Sequence, residues 1–179
     1  MGLWEELSAE TVPGPFAVYV QDHGPNLYRR GIYTFRKRTV PPPSLAIFDA
    51  SPREACRVSL PRTNTPLQAL NLMNDVTYVE AARVLAEQAM KEGGASAPSR
   101  LTWTFRRILA RDPTDRELRV LVDGFERRLK AYQQHPQYAE RLLKLGESPA
   151  DKSLAPEELA AYTATTSVLF NLDEFVARP

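Results

Sequence analysis

Apolar residues recur at helical spacing almost only after Pro66, and this asymmetry constrains the fold more than any other feature of the 179-residue chain. The clearest stretch follows Thr114 and Glu117, which form a Thr-x-x-Glu capping box. Behind it, Leu118, Leu121, Val122, Phe125, Leu129 and Tyr132 share one helix face, with arginines opposite. A second start signal is Thr65-Pro66-Leu67-Gln68, with Thr as cap, Pro at the first helical position and Gln three residues after the cap; it predicts a helix to Met73. Asp75 caps the next, whose stripe Val79, Ala82, Leu85, Ala86 and Ala89 runs to Glu92 and stops at Gly93-Gly94. Leu101, Phe105, Ile108 and Leu109 mark another, ending before Arg111-Asp112-Pro113. A short helix from Tyr138 to Leu145 and a last one from Pro156 to Phe170 follow, the latter with Leu159, Tyr162, Thr163, Thr166, Leu169 and Phe170 inward. Stripes of this kind leave water only against one another, so the expected fold is mostly α, a bundle of about five to six helices.

The residues before Pro66 hold most of the 15 prolines and little helical period. Phe16-Ala17-Val18-Tyr19-Val20 and Tyr28 to Thr39 are rich in aromatic and β-branched residues and bounded by Gly or Pro, so both read as short strands or extended segments. Pro41-Pro42-Pro43 forces an extended connector, after which Ser44 to Phe48 fits one helical turn. The expected organisation is a single domain, with an irregular Pro-rich arm over 1–65 packed on a helical bundle over 66–179.

Charge and cysteine usage narrow the chemistry. Lys and Arg number 23 against 22 Asp and Glu, a net +1, so no global field draws the chain to nucleic acid or an anionic membrane. Cys56 is the only cysteine, which excludes an internal disulfide and any multi-thiolate metal site. His23 and His135 lie beside Gly24-Pro25 and Pro136, without the spacing of a metal pair. The reading is therefore of a chain with no cofactor or metal of its own and no catalytic constellation within it; whether it is part of an enzyme stays open, with the balance against catalysis by this chain alone. No apolar run approaches the roughly 20 residues that span a bilayer, and the stretch from Met1 to Leu7 is acidic where a signal peptide is basic.

Two places invite a binding role. Arg29, Arg30, Arg36, Lys37 and Arg38 are interleaved with Tyr28, Tyr33 and Phe35, the composition of a surface that neutralises and stacks on an anionic polymer, polysaccharide or nucleic acid. Arg30 to Phe35 touches an RNA-binding consensus but departs from it at the second small residue. Nucleic acid is the less favoured polymer. The simpler reading sends the aromatics into the core and pairs the arginines with helix carboxylates. At the second place, Arg62, Thr63, Asn64 and Thr65 precede a helix N-terminus, where free N–H groups favour an anion; capping by Thr65 is the simpler account. This junction of arm and helix is where a buried polar network or a bound anion is expected. Asp22-His23-Gly24 lies in a turn and offers an oriented imidazole, which would serve a hydrolase only if the rest of its site lay upstream. Glu157 and Glu158, after Pro156, suit a helix N-terminus, and the Arg106-Arg107 and Arg127-Arg128 doublets suit solvated helix faces.

Three stretches carry a resemblance: Tyr28 to Thr39, Phe48-Asp49-Ala50, and Arg62-Thr63-Asn64-Thr65-Pro66-Leu67-Gln68-Ala69-Leu70-Asn71-Leu72-Met73-Asn74-Asp75. With Arg107 to Thr114 and Leu169 to Phe175, they resemble the planctomycete-type C-terminal domain of unknown function (domain of unknown function 1553), in its C-terminal part. The resemblance implies a fragment of a longer multidomain protein, exported to the cell envelope or periplasm. It also implies a haem-bearing domain upstream and, as partners, the upstream domains of the same parent chain. It implies no reaction and no catalytic residue.

Overall fold

A computed structural model of the chain describes residues 20–34, 36, 41–51 and 63–176. The chain divides into two compact units, Met1–Gln68 and Ala69–Pro179.

In the first unit, two single 3-10 turns, Gly24–Asn26 and Gly31–Tyr33, precede α1, Pro43–Ile47. Pro43 takes the first helical position, where its missing N–H is no loss. The helix closes with a Schellman pair, the Ala50 amide donating to Leu45 O at 2.9 Å and the Asp49 amide to Ala46 O at 3.2 Å. Asp49 takes the left-handed position at φ 58°, a conformation that Asp tolerates better than most side chains.

The expectation of a strand or extended segment over Tyr28 to Thr39 needs correction where it can be seen. Tyr28 to Thr34 is a turn running into the Gly31–Tyr33 3-10 turn, and there is no strand among the described residues. The physical reason is local satisfaction of the backbone. Tyr33 N donates to Arg30 O at 2.8 Å and Thr34 N to Gly31 O at 3.1 Å, so no ladder partner is required. Residues 16–19, 35 and 37–39 lie outside the described residues.

Helix α2, Pro66–Asn74, leads into α3, Val76–Glu92. Asp75 between them caps α3, its carboxylate accepting from Thr77 N at 2.8 Å. Then come α4 (Ala97–Leu109), α5 (Asp115–Gln134), α6 (Pro136–Leu143), α7 (Pro156–Phe170) and the single turn α8 (Asp173–Val176). The mostly helical bundle is therefore as the periodicity requires, with six helices longer than two turns among the described residues. The α7 limits match those read from the sequence. The α5 capping box forms in full, with Glu117 N donating to Thr114 Oγ1 at 3.3 Å and Thr114 N to Glu117 Oε2 at 2.7 Å.

Helix α7 is the axis of the second unit, packing against α3, α4, α5, α6 and α8. Its residues Leu159 to Thr163, Thr165, Thr166, Leu169 and Phe170 are buried, as a helix apolar on most of its circumference must be. Two of its threonines fit this interior because their hydroxyls donate backward along the helix, Thr163 to Leu159 O and Thr165 to Ala161 O, each at 2.8 Å. Tyr162 stacks on Phe125 of α5 with centroids 4.3 Å apart. Phe175 of α8 stacks on Phe170 at 5.0 Å, which explains why so short a turn has a fixed place.

Candidate functional site

The arm-to-helix junction carries a polar network, as its sequence suggests. Gln68 is almost wholly buried, and its amide reaches three ways. Oε1 accepts from Thr65 N at 2.8 Å, while Nε2 donates to Ile47 O at 2.9 Å and to Thr63 Oγ1 at 3.0 Å. Thr65 returns the cap by accepting from Gln68 N at 3.3 Å. Thr63 spends both of its donors on Asp49: its amide at 3.2 Å and its hydroxyl both reach Oδ2. A carboxylate thus sits next to the first turn of α2, and it is the chain's own. The left-handed turn at Asp49 aims that carboxylate; a β-branched residue there would carry both strain and a lost acceptor.

The basic aromatic segment resolves differently from its simpler reading. Tyr28, Arg29, Arg30, Ile32 and Tyr33 are all exposed, rather than directed into a core. Arg36 is half-buried and donates from its guanidinium to Ser51 O, so its role is to tie the chain to the residues after α1. Lys37, Arg38 and Arg62 lie outside the described residues, as does Cys56. Asn64 is exposed beside the Thr63–Asp49 contact. His23 is exposed at the start of the first 3-10 turn, with Asp22 half-buried before it.

Two further clusters escaped the sequence. On α3, Glu80 and Arg83 are 2% and 1% exposed, and with Glu87 they form a row at i, i+3 and i+7 facing the loop between α6 and α7. Glu80 receives the amides of Glu147 at 2.9 Å and Ser148 at 3.0 Å. Arg83 donates to Glu87 Oε1 at 2.7 Å and to Ser148 O, and Glu87 accepts from Asp151 N at 3.3 Å. Lys91, one turn further on, pairs with Asp151, and the Lys91 ammonium and the Ser153 donors hold the Asp151 carboxyl well below the usual carboxylate range. Gly146 makes the close approach possible: it lies at φ 92°, and a Cβ there would stand 2.0 Å from Glu80 Oε2.

The second cluster centres on Arg111, after α4. Its guanidinium binds Glu117 in a fork at 3.0 and 2.7 Å and Glu174 of α8 at 3.0 Å twice, while lying over the Phe105 ring at 4.8 Å. The Arg111 guanidinium, with the Thr114 amide and hydroxyl, holds the Glu117 carboxyl down to about 2. The sequence signal was present in part, since Glu117 was legible as a capping residue but not as half of an ion pair.

Every one of these clusters is a brace: it fastens a loop or a terminal turn to a helix. Among the described residues, no group of His, Cys, Asp and Glu side chains is arranged to hold a metal ion, and no helix is long and apolar enough to cross a membrane. The family model described as PSD1, Protein of unknown function (DUF1553), matches residues 5–125. The chain belongs to this family of proteins of unknown function. The PSD1 match includes the Asp49, Thr63 and Gln68 network, the Glu80, Arg83 and Glu87 row, and the Arg111 node. It ends within α5, ahead of the Gly146 loop and α8 that the last two clusters fasten. No curated protein and no solved structure matches the chain.

Proposed function

We propose that this PSD1 chain is a non-catalytic structural or interaction module of a larger exported envelope protein, docking against other domains of its own parent polypeptide. The observation that supports this best is α2. Its nine residues, Pro66-Leu67-Gln68-Ala69-Leu70-Asn71-Leu72-Met73-Asn74, include no charge, and its buried and exposed faces lie on opposite sides. One face is closed by buried Gln68 and Leu72. The other presents Leu67, Leu70 and Met73, continued by Val76 at the start of α3, all exposed. Surface helices usually carry a charged or polar outer face, and an exposed row of four large apolar side chains on an uncharged helix marks a surface for a partner to cover.

Four side chains fall well short of the roughly 800 Å² per partner of a stable association between separate chains. A partner in the same polypeptide needs far less contact area, because tethering raises its effective concentration to about the millimolar range. Export and a haem group in another domain of the parent belong to the same proposal. They rest on the family resemblance of the Tyr28–Thr39, Phe48–Ala50 and Arg62–Asp75 stretches.

The test is co-expression of this chain with the rest of its parent protein, in the native form and as Leu70→Glu with Met73→Glu. Co-purification of the native pair, lost in the variant while the variant chain keeps its own melting temperature, is the expected result. Equal co-purification of both forms, or of neither, overturns the proposal.

A further inference from the structure

The turn from Tyr28 to Tyr33 exposes an unusual set of side chains for six consecutive residues. Ile32 is 75% exposed, Tyr33 63% and Tyr28 56%, with Arg29 and Arg30 exposed beside them. The chain is held from behind: Leu27 is buried, and the Gly31 position faces Leu45 Cδ2 of α1 at 3.8 Å from where a Cβ would be. Backbone bonds from Tyr33 N to Arg30 O and from Thr34 N to Gly31 O fix the turn. In a 3-10 turn, residues three apart eclipse, so Arg30 and Tyr33 stand in one row. Neither Arg29 nor Arg30 has a carboxylate partner among the described residues, in contrast to Arg83, Arg100, Arg106 and Arg111, each of which does.

We infer that this turn is a binding surface for an acidic polysaccharide, a chain of sugar rings bearing carboxylates. Two planar guanidiniums side by side match carboxylates in forked, charge-assisted contact. The adjacent Tyr33 ring, 63% exposed, gives a flat apolar face with a polar edge, which suits a sugar ring better than it suits water. The sparseness of charge selects among anionic polymers. Binding to nucleic acid is dominated by many phosphate contacts along a cation-lined groove, whereas the described residues of this turn, Tyr28 to Tyr33, present two arginines, on a chain of net charge +1. A uronate polymer, with its charges spaced along the chain by whole sugar rings, needs no more than that.

The inference does not depend on α2 or on the parent polypeptide. The whole chain is run through native gels cast with alginate, polygalacturonate, neutral dextran or oligo-dT, and the retarded combinations are quantified. Retardation by a uronate polymer but not by dextran is expected, weakened about tenfold or more in Arg29→Ala with Arg30→Ala. Tyr33→Ala, which leaves the charge untouched, should weaken it as well. The backbone bonds of the turn do not involve these side chains, and circular dichroism checks that the variants remain folded. No retardation by either uronate, or retardation indifferent to both variants, overturns the inference. Retardation by oligo-dT alone also overturns it, and assigns the turn to nucleic acid instead.

Discussion

Replacing Gly146 by alanine tests whether the Glu80 row is the clasp that holds the α6–α7 loop. Two separable costs arise. At φ 92° an alanine carries strain of about 1–3 kcal/mol. Its Cβ would also meet Glu80 Oε2 at 2.0 Å and Cδ at 2.5 Å, and Glu80 is 2% exposed with no room to yield. The carboxylate must leave the Glu147 and Ser148 amides, and disrupting a buried charged contact of this kind costs about 3–5 kcal/mol. The sum, about 4–8 kcal/mol, is comparable with the whole stability of a domain, about 5–15 kcal/mol. In a Glu80→Ala background the obstructing carboxylate is gone, and Gly146→Ala should cost only the strain. Urea unfolding of the four proteins of this cycle should therefore give a coupling of about 3 kcal/mol or more. Equal costs of Gly146→Ala in the two backgrounds would refute the clasp.

Further outcomes follow from the other braces. Ala110 ends α4 in the left-handed region at φ 58°, so Ala110→Gly should raise stability by about 0.5–1 kcal/mol in the same assay, the relief of strain exceeding the added freedom of the unfolded chain. The Glu117 carboxyl sits at about 2 in the folded chain against an ordinary 4.5. Its contribution is thus complete above the ordinary value and is lost as pH falls from about 4.5 towards 2. Because the side chain is 35% exposed, screening limits the effect to about 1 kcal/mol. Unfolding measured from pH 6 to pH 2.5 should show a shallower acid loss in Glu117→Gln than in the native chain. Gln68→Leu leaves the Thr65 amide and Ile47 carbonyl without their partner and should cost about 1–3 kcal/mol, read as a lowered melting temperature.

What the sequence disclosed, it disclosed through patterns that local physics enforces. The Thr114 and Glu117 box and the Asp75 cap satisfy backbone groups within one turn, and Pro156 removes one orphan N–H at the start of α7, so these residues announce themselves. The Glu80, Arg83 and Glu87 row did not, because charges at i, i+3 and i+7 on a helix have the same spacing as an ordinary solvated face. Only the fold places the Gly146 loop over that row, its Glu147 and Ser148 amides 67 and 68 residues beyond Glu80 in the chain. The Tyr28 to Tyr33 turn misled for the opposite reason. Aromatic and β-branched residues usually mark buried extended chain, yet Gly31 opens a 3-10 turn in which Ile32 and Tyr33 are exposed. Turn α8 was invisible, being too short to show a period and held by Arg111 and Phe170 from elsewhere in the chain.

The proposed docking role falls on the uncharged helix α2. Hydrogen–deuterium exchange across Pro66–Asn74 and Val76 is the decisive measurement, made on this chain alone and on the larger protein proposed to contain it. Slower exchange is expected there in the larger protein, with α5 unchanged as an internal reference. Identical exchange of that segment in both settings would contradict it.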